Sequence, residues 1–341
     1  MIKLIIDTMG GDNSPRANVE GSVSALRAHP DLYVIFSGDE AQIKPILEEL
    51  EYTDDTRYEI LHAPDVISGE DKPTDAIRLK RESSMMKGIK MLRENDDIAG
   101  MVSTGATGSL VAAATVRIGR IRGLIRPAFC PVFSTMAGTL VGVCDSGANV
   151  DCTPEQLLQF SVMGSLYMQY AFGIENPRIA MLNIGTETEK GDVMHKEAFK
   201  LIAAAHGDNF VGNMEGRDLL SGNYDIIVAD GFSGNVLIKT TEGTALSLLK
   251  KIKSDIYSRG MYKFGAIFLK KMFEEEKELL NYQNYGGSVL LGTEKIIVKG
   301  HGSSNAIAVR KCIEQAMTME KNNLNDKIAE RIADLYKAQA Q

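Results

Sequence analysis

Features that would assign this chain to several common classes of protein are scarce or missing from its 341 residues. It contains no tryptophan, which excludes no class by itself, and no apolar stretch reaches the roughly 20 residues that a helix needs to cross a bilayer. The first residues enter a strand-like apolar run directly, without the basic region and cleavage site of a signal peptide. We therefore expect neither a membrane span nor a secretion signal.

An excess of positive charge is also missing. The chain has 38 lysine and arginine residues against 45 aspartate and glutamate residues, a formal net charge of −7. Proteins that bind the phosphate backbone of nucleic acids neutralise it with basic residues, so we expect no nucleic-acid partner. Solubility is a sufficient explanation of the acidic balance.

Cysteine is rare and lacks the spacing of a metal site. Of the four cysteines, Cys144 and Cys152 are the nearest pair, and no second pair completes a zinc site. Carboxylates are not clustered on neighbouring turns either, so the sequence predicts no bound metal and no cofactor. We interpret the cysteines as reduced, mostly buried thiols of a cytosolic protein.

What the chain does contain is a repeated transition from an apolar run to a loop of small polar residues. The runs are rich in valine and isoleucine, as are strands buried on both faces of a parallel sheet. Helical patterns alternate with them, which favours an α/β fold with a mostly parallel sheet. In such sheets, ligands bind beyond the carboxyl ends of the strands. The six transitions lie in Lys3–Asp12, Met101–Ser109, Leu140–Asn149, Met181–Asp192, Ile226–Asn235 and Ile296–Asn305.

The second transition carries the first candidate anion site. Its strand ends in a loop from which a helix begins, and helix N-termini offer unpaired N–H groups and a positive dipole end to anions. The loop matches neither the P-loop nor the dinucleotide fingerprint, so an ordinary strand-to-helix turn is an equal alternative. The candidate residues are Ser103, Thr104, Gly105, Ala106, Thr107, Gly108 and Ser109.

The fifth transition repeats this design, with a carboxylate, Asp230, at the end of the strand and a helix predicted from near Val236. An aspartate in this position is often only a helix cap. The glycines and polar side chains beside it make a functional role an even alternative. The candidate residues are Asp230, Gly231, Ser233, Gly234 and Asn235.

Two further loops contribute candidates of a different kind. Lys190 follows Asn183 and Gly185 in a polar loop, where it could neutralise a phosphate as a mobile point charge or simply be a solvated lysine. His301 lies at a strand-to-helix junction, where a neutral imidazole could donate to an oxygen or exchange a proton. The first loop, with Asp7 at the end of its strand, is comparable.

Two segments have helical patterns of their own. Residues 75–90 are predicted to be helical and are locally basic. Residues 254–287 have no strand signal, and we predict a helical excursion there. Its apolar stripe is either a core or dimer-interface surface or a surface that docks on a membrane. The stripe consists of Tyr257, Met261, Phe264, Phe268 and Met272.

Taken in order, the motifs resemble one family over about residues 2–311. They are DTMGGD, RESSM, STGATGS, RIGRIRGLIRPA, CDSGAN, NIGTETEKGD, DGFSGNVLIKTTEG, GGSVLLG and GHGSSNAIAV. This ordered set is similar to that of the bacterial acyl-ACP:phosphate acyltransferases of phospholipid synthesis, the PlsX family. One loop departs from the family pattern VSAGNTGA, because Ala106 stands where the family has asparagine. A side-chain role at this position is thereby excluded, whereas binding by backbone N–H groups is not.

The resemblance implies a fold, a reaction and partners. The fold would be a three-layer α/β/α arrangement like that of isopropylmalate and isocitrate dehydrogenases, forming one catalytic unit over residues 1–341 with the 254–287 excursion. The enzyme would be a homodimer that converts acyl-ACP and inorganic phosphate to acyl phosphate and ACP. The product would pass to a membrane glycerol-3-phosphate acyltransferase. The protein would be cytoplasmic with peripheral membrane association.

Combined with the loop chemistry, the resemblance gives hypotheses about roles. Phosphate is assigned to the Thr104–Ser109 loop, Lys190 to its charge, and Asp230 to orienting Lys190 or handling a proton. Asn235 and His301 are further candidates for oxyanion or phosphate contacts. Three rivals stay open: a phosphotransacetylase acting on short acyl-CoA, a dehydrogenase of the same fold, and a non-catalytic membrane-recruitment module.

Overall fold

The strands and helices of the chain alternate as the sequence predicts. The computed structural model describes residues 1–258, 271–272 and 286–339. The strands are β1 Ile2–Asp7, β2 Leu32–Gly38, β3 Tyr58–His62, β4 Ile98–Ser103, β5 Ala128–Cys130, β6 Val132–Ser134, β7 Leu140–Cys144, β8 Ile179–Asn183, β9 Phe210–Glu215, β10 Ile226–Val228, β11 Ser288–Leu291 and β12 Ile296–Lys299. The helices are α1 Arg16–Ala28, α2 Glu40–Glu49, α3 Pro73–Leu79, α4 Ser84–Glu94, α5 Thr107–Ala113, α6 Pro154–Phe172, α7 Val193–His206, α8 Gly231–Ser258, α9 Ala306–Lys321 and α10 Leu324–Gln339.

The strands of the described residues form two sheets. The first has seven strands in the order β3-β2-β1-β4-β12-β11-β5, and the second has five in the order β6-β7-β10-β8-β9. All six strands predicted from the apolar runs lie parallel to each other within their sheets. Among the strands named above, antiparallel pairing is confined to β11 with its two neighbours and to β6 with β7. The mostly parallel α/β prediction is therefore confirmed.

Helices cover both faces of the first sheet, as the period-two alternation of side chains along a strand requires. Leu4 and Ile6 of β1 belong to the core cluster that contains residues of α1 and α9. Ile5, between them, belongs to a second cluster with residues of α4 and α5. The first cluster also includes residues of the second sheet, such as Ile226 of β10. The three-layer α/β/α prediction is confirmed by this arrangement.

Three local predictions need correction or fall partly outside the described ranges. Residues 75–90 do not form one helix, because α3 ends at Leu79 and the Ser83 side chain accepts the Met86 N–H to begin α4. Helix α8 begins at Gly231, earlier than predicted. Of the predicted excursion, residues 254–258 continue α8 and residues 271–272 are helical, whereas the rest lies outside the described residues. No helix in the described ranges is both long and apolar enough to cross a membrane.

Candidate functional site

A buried carboxylate organises the carboxyl edge of the first sheet. Asp7, at the end of β1, is only 1% exposed. It accepts the hydroxyl of Ser84 at 2.5 Å and the hydroxyl of Ser103 at 2.6 Å. The Ser103 hydroxyl in turn accepts the Gly105 N–H at 3.1 Å. Burial raises the pKa of Asp7, and these hydrogen bonds oppose that rise. The first loop and the Ser103–Ser109 loop are therefore held by one carboxylate.

Close backbone approach between these two loops requires glycine. A Cβ atom on Gly10 would lie 2.6 Å from the Gly105 nitrogen, closer than any side chain permits. The Thr104 hydroxyl donates to the Gly10 carbonyl at 2.6 Å, so its hydrogen bond is made within the protein. Of the seven residues predicted in this loop, Ser103 and Thr104 have hydroxyls that donate hydrogen bonds within the protein.

The second sheet has a corresponding buried carboxylate that sequence reasoning missed. Asp145, which follows β7, is 0% exposed. It accepts backbone N–H groups from Phe129, Ser146, Ala148 and Asn149, among others. Its signal in the sequence was its place at the end of an apolar run, in the motif CDSGAN. Asp145 fixes the conformation of the loop that faces the first sheet.

Helix α8 packs its first turn directly against this loop. A Cβ atom on Gly234 would lie 2.0 Å from the Asp145 carbonyl oxygen, and one on Gly231 would lie 2.4 Å from the Asn149 carbonyl oxygen. The Asp230 carboxylate accepts the Ser233 N–H at 2.8 Å and so caps the helix. Asn235 donates its side-chain N–H to the Ser146 carbonyl at 3.2 Å.

A cavity of about 200 Å³ lies between the carboxyl edges of the two sheets. Both sheets contribute, since Thr107 and His301 come from the first and Ser146 and Asn235 from the second. Three of the residues predicted from sequence, Thr107, Asn235 and His301, are brought together here. The remaining lining residues are Phe129, Pro131, Val132, Phe133, Ile238, Lys239, Glu242, Gly286, Gly287, Ser288, Lys299 and Gly300. The cavity therefore combines polar donors with an apolar wall.

Lys299 is a buried cation of this cavity that sequence reasoning missed. It ends β12 directly beside Ser103 of β4 and is 8% exposed. Its ammonium group donates to the carbonyl of Gly300 and, at 3.4 Å, to that of Thr104. Burial lowers its pKa from 10.5 to about 8, while Asp7 and Asp12 oppose this change. A lysine that interrupts the end of an apolar run, in IIVK, was the available signal.

His301 is held in one tautomer by its own loop. The Ser303 backbone N–H donates to Nδ1 at 3.2 Å, and the Ser303 hydroxyl lies 2.8 Å from the same nitrogen. Partial burial and the charge of Lys299 lower the pKa of His301, which favours the neutral ring. A neutral ring that accepts at Nδ1 carries its proton on Nε2. His301 is therefore a hydrogen-bond donor at neutral pH.

The loop after β8 stands apart from this cavity. The Lys190 ammonium lies 4.0 Å from Glu187, and its side chain is 47% exposed. The Asn183 amide donates to the Lys190 carbonyl at 3.1 Å, which closes the loop on itself. Neither these residues nor Gly185 line the cavity. The hypothesis that Asp230 orients Lys190 has no contact to support it among the described hydrogen bonds, in which Asp230 instead caps α8.

Apart from Glu242, whose pKa is raised by burial, the polar side chains of the cavity are hydrogen-bond donors, as an anion site requires. Lys299, the neutral His301 ring, the Asn235 amide and the Thr107 and Ser146 hydroxyls all offer N–H or O–H groups. Over the described part of the chain, no three histidine, cysteine, aspartate or glutamate side chains are grouped so as to hold a metal ion.

Comparison with known proteins identifies the family of this chain. The family model described as "Fatty acid synthesis protein" matches residues 2–327. The chain belongs to this family. A protein named phosphate acyltransferase from Clostridium acetobutylicum is 41% identical over 97% of this chain and 99% of its own length. One of the same name from Clostridium tetani is 40% identical over 98% and 99%. Family members of this kind are transferases, and the family resemblance found in the sequence is confirmed.

Solved structures extend the comparison at the level of the fold. A phosphotransacetylase from Streptococcus pyogenes superposes with a TM-score of 0.60 over 94% of both chains at 18% identity. A branched-chain phosphotransacylase from Enterococcus faecalis gives 0.57 over 93% of this chain and 98% of its own, at 14% identity. At this identity, the likeness establishes the two-sheet α/β architecture.

Proposed function

We propose that this chain transfers an acyl group from acyl-ACP to inorganic phosphate, releasing acyl phosphate and ACP, as an early step of bacterial phospholipid synthesis. The observation that carries this proposal is the cavity between the two sheets, where a buried lysine and several neutral donors face an apolar wall. The names of the relatives, phosphate acyltransferase, support the same reaction.

The chemistry needs positioning more than a protein nucleophile. Phosphate is already an anionic nucleophile at neutral pH, so one of its oxygens attacks the thioester carbonyl carbon. A C–O bond forms, the C–S bond breaks, and the sulfur leaves with its electron pair as the thiolate. Holding the two reactants together contributes up to about 7–11 kcal/mol in ideal cases, and each well-placed oxyanion donor about 3–4 kcal/mol. Asn235, His301 and the backbone of the Thr107 turn are the proposed donors.

We propose that Lys190 and Asp230, which do not line the cavity, act on phosphate from the loops that carry them. They follow β8 and β10, which are neighbouring strands with Met181 opposite Val228. Lys190 would contribute charge toward phosphate, and Asp230 would handle a proton or orient the lysine. Lys190→Ala should lower kcat while leaving the unfolding temperature unchanged. Lys196→Ala, an exposed change in the following helix, is the matched control, and normal turnover by Lys190→Ala would reject the role.

The acyl donor distinguishes this function from its main rival, a phosphotransacetylase that acts on short acyl-CoA. A groove of about 410 Å³ beside α4 is lined by Arg81, Glu82, Met86, Lys87, Ile89, Lys90, Arg93, Glu94 and Arg117. Five of these nine residues are basic in a chain of net charge −7. We propose that this groove receives the acidic carrier protein, an interaction that a short acyl-CoA does not need.

The exposed apolar residues of α8 suggest how the chain assembles and where it meets the membrane. Phe232, Val236, Leu246 and Leu248 of α8 are each at least half exposed, and exposed apolar patches often mark interaction surfaces. We propose that α8 contributes to a homodimer and that the 254–287 excursion lies at its tip, facing the membrane. There the product would reach a membrane glycerol-3-phosphate acyltransferase.

The deciding experiment is phosphate-dependent release of the ACP thiol from palmitoyl-ACP by purified protein, with palmitoyl-CoA and acetyl-CoA in parallel. Release from palmitoyl-ACP only when phosphate is present is the expected result. A preference for acetyl-CoA would favour the phosphotransacetylase, and no release from any donor would reject acyl transfer.

A further inference from the structure

We propose that Lys299 is the cation that binds the phosphate nucleophile in the cavity between the two sheets. Asp7, through its hydrogen bonds to Ser84 and Ser103, positions the strand end that carries Lys299. The proposal deepens the function argued above and rests on it for the identity of the anion as substrate. It assigns a binding role to a residue that loop chemistry did not single out, in preference to a role for Lys190 alone.

Lys299 lies at the edge of the first sheet where a ligand is expected to bind. Lys299 is the last residue of β12, and β12 lies against β4 with Lys299 opposite Ser103. This register places it between the first-sheet loops that carry Thr107 and His301, both of which line the same cavity. Ligands of parallel α/β sheets bind at this edge. Its backbone cannot shift along the sheet without breaking the register of β12 against β4.

The buried ammonium group of Lys299 has no carboxylate at ion-pair distance among the described residues. Burying an ammonium group is costly unless a counter-charge accompanies it. Within the described ranges, Lys299 forms no ion pair with a carboxylate, and its hydrogen bonds go to the carbonyls of Thr104 and Gly300. An ammonium group carries three N–H donors. Asp7 and Asp12 act on this charge only from beyond ion-pair distance, so a bound anion would supply a direct counter-charge and accept a further hydrogen bond.

Two other lysines are placed differently from Lys299. Lys295, at the opposite end of the same strand, donates to the carbonyls of Asn95, Asp96 and Ile98. It closes a turn, and it does not line the cavity. Lys190 is about half exposed beside Glu187. Of these three lysines, Lys299 is the one that lines the cavity, and Lys239, the other lysine of the lining, is exposed.

The remainder of the network explains how Lys299 is held. Asp7 joins Ser84 at the start of α4 to Ser103 at the end of β4. Ser103 is the neighbour of Lys299 in the sheet, and Thr104, the next residue, accepts its ammonium N–H. Asp7 is therefore a positioning residue. During acyl transfer Lys299 keeps its proton and offsets the charge of the phosphate.

The test uses inorganic phosphate and the full-length protein. The unfolding temperature is measured against phosphate concentration for the wild type, Lys299→Met, Lys299→Arg and the matched control Lys295→Met. Loss of a charge-assisted hydrogen bond should weaken phosphate binding by about 10- to 100-fold. Lys299→Met should therefore lose most of the phosphate-induced shift, and Lys299→Arg should recover part of it. Lys295→Met should be less stable but should keep the full shift.

Kinetics separate binding from folding. In Lys299→Met the KM for phosphate should rise by at least about tenfold, with the KM for the acyl donor nearly unchanged. Equal phosphate shifts in the wild type and Lys299→Met would overturn the proposal, even if the wild type is an active acyltransferase. A phosphate shift that depends on Lys299 in a protein without acyl transfer would uphold the anion site and reject the proposed function instead.

Discussion

The lowered pKa of Lys299 predicts that the free energy of unfolding changes with pH in the alkaline range. Burial lowers its pKa from 10.5 to about 8 in the folded protein, whereas in the unfolded chain the lysine regains its ordinary value. Between these two pH values the unfolded chain binds more protons than the folded protein, so stability must rise with pH. At about 1.4 kcal/mol for each pH unit, the complete rise is about 3 kcal/mol.

Urea unfolding of the wild type and Lys299→Met, in phosphate-free buffer from pH 7 to pH 10.5, measures this contribution. Other groups also titrate in this range. Cys312, whose pKa burial raises to about 12, makes stability fall as the pH rises above the ordinary thiol value. Because Cys312 is present in both proteins, its effect largely cancels in the difference between their unfolding free energies. That difference should move in favour of the wild type by about 3 kcal/mol across the range.

Two controls make the result specific. Lys295→Met should give a curve parallel to that of the wild type, because this lysine lies at the other end of the strand. Saturating phosphate should flatten the rise, since an anion bound to the ammonium group raises its pKa again. A difference between the wild type and Lys299→Met that stays constant with pH would refute the account of Lys299 as a desolvated cation.

Three further predictions concern other parts of the molecule. Nε2 of His206 lies 2.9 Å from the Ser161 hydroxyl, and burial lowers the pKa of His206 from 6.5 to about 4. The free energy of unfolding should therefore fall as the pH drops from 6.5 toward 4. His206→Gln should reduce that fall in acid unfolding curves. Gly234→Ala should destabilise the protein by about 1–3 kcal/mol in urea unfolding, because its Cβ would lie 2.0 Å from the Asp145 carbonyl oxygen; an unchanged midpoint would mean that α8 can shift freely. Reversing charge with Lys90→Glu and Arg93→Glu should raise the KM for acyl-ACP at low salt while leaving acyl-CoA use unchanged. The same loss after Lys337→Glu, an exposed change on α10, would show a general effect of net charge.

The sequence carried enough information to predict the six parallel strands, because continuous valine- and isoleucine-rich runs ending in polar loops leave little alternative to buried strands. It did not reveal that β1, β4 and β12 share one sheet and β7, β8 and β10 another. That division depends on which helices pack on which face, a property of long-range contacts. Strand periodicity is local and is the same in either arrangement.

The candidate site was predicted in part for the same reason. Thr107, Asn235 and His301 meet in one cavity because each follows a parallel strand, which the loop pattern indicated. Lys299 escaped notice because a lysine at a strand end is usually exposed, and only the register of β12 against β4 shows that it is buried. Lys190 was predicted as a phosphate ligand from the composition of its loop. Composition does not determine where an exposed side chain lies in the folded protein.

Strand β5 ends at Cys130 in the first sheet and β6 begins at Val132 in the second, so Pro131 alone joins the two sheets at this crossing. The Pro131 carbonyl accepts the Val143 N–H at 3.1 Å, and Phe129, Pro131, Val132 and Phe133 all line the cavity. The chain therefore has no spare length at this point. A single inserted or deleted residue would shift the apolar wall of the cavity against its polar donors, so among homologues we expect substitutions here but a fixed number of residues.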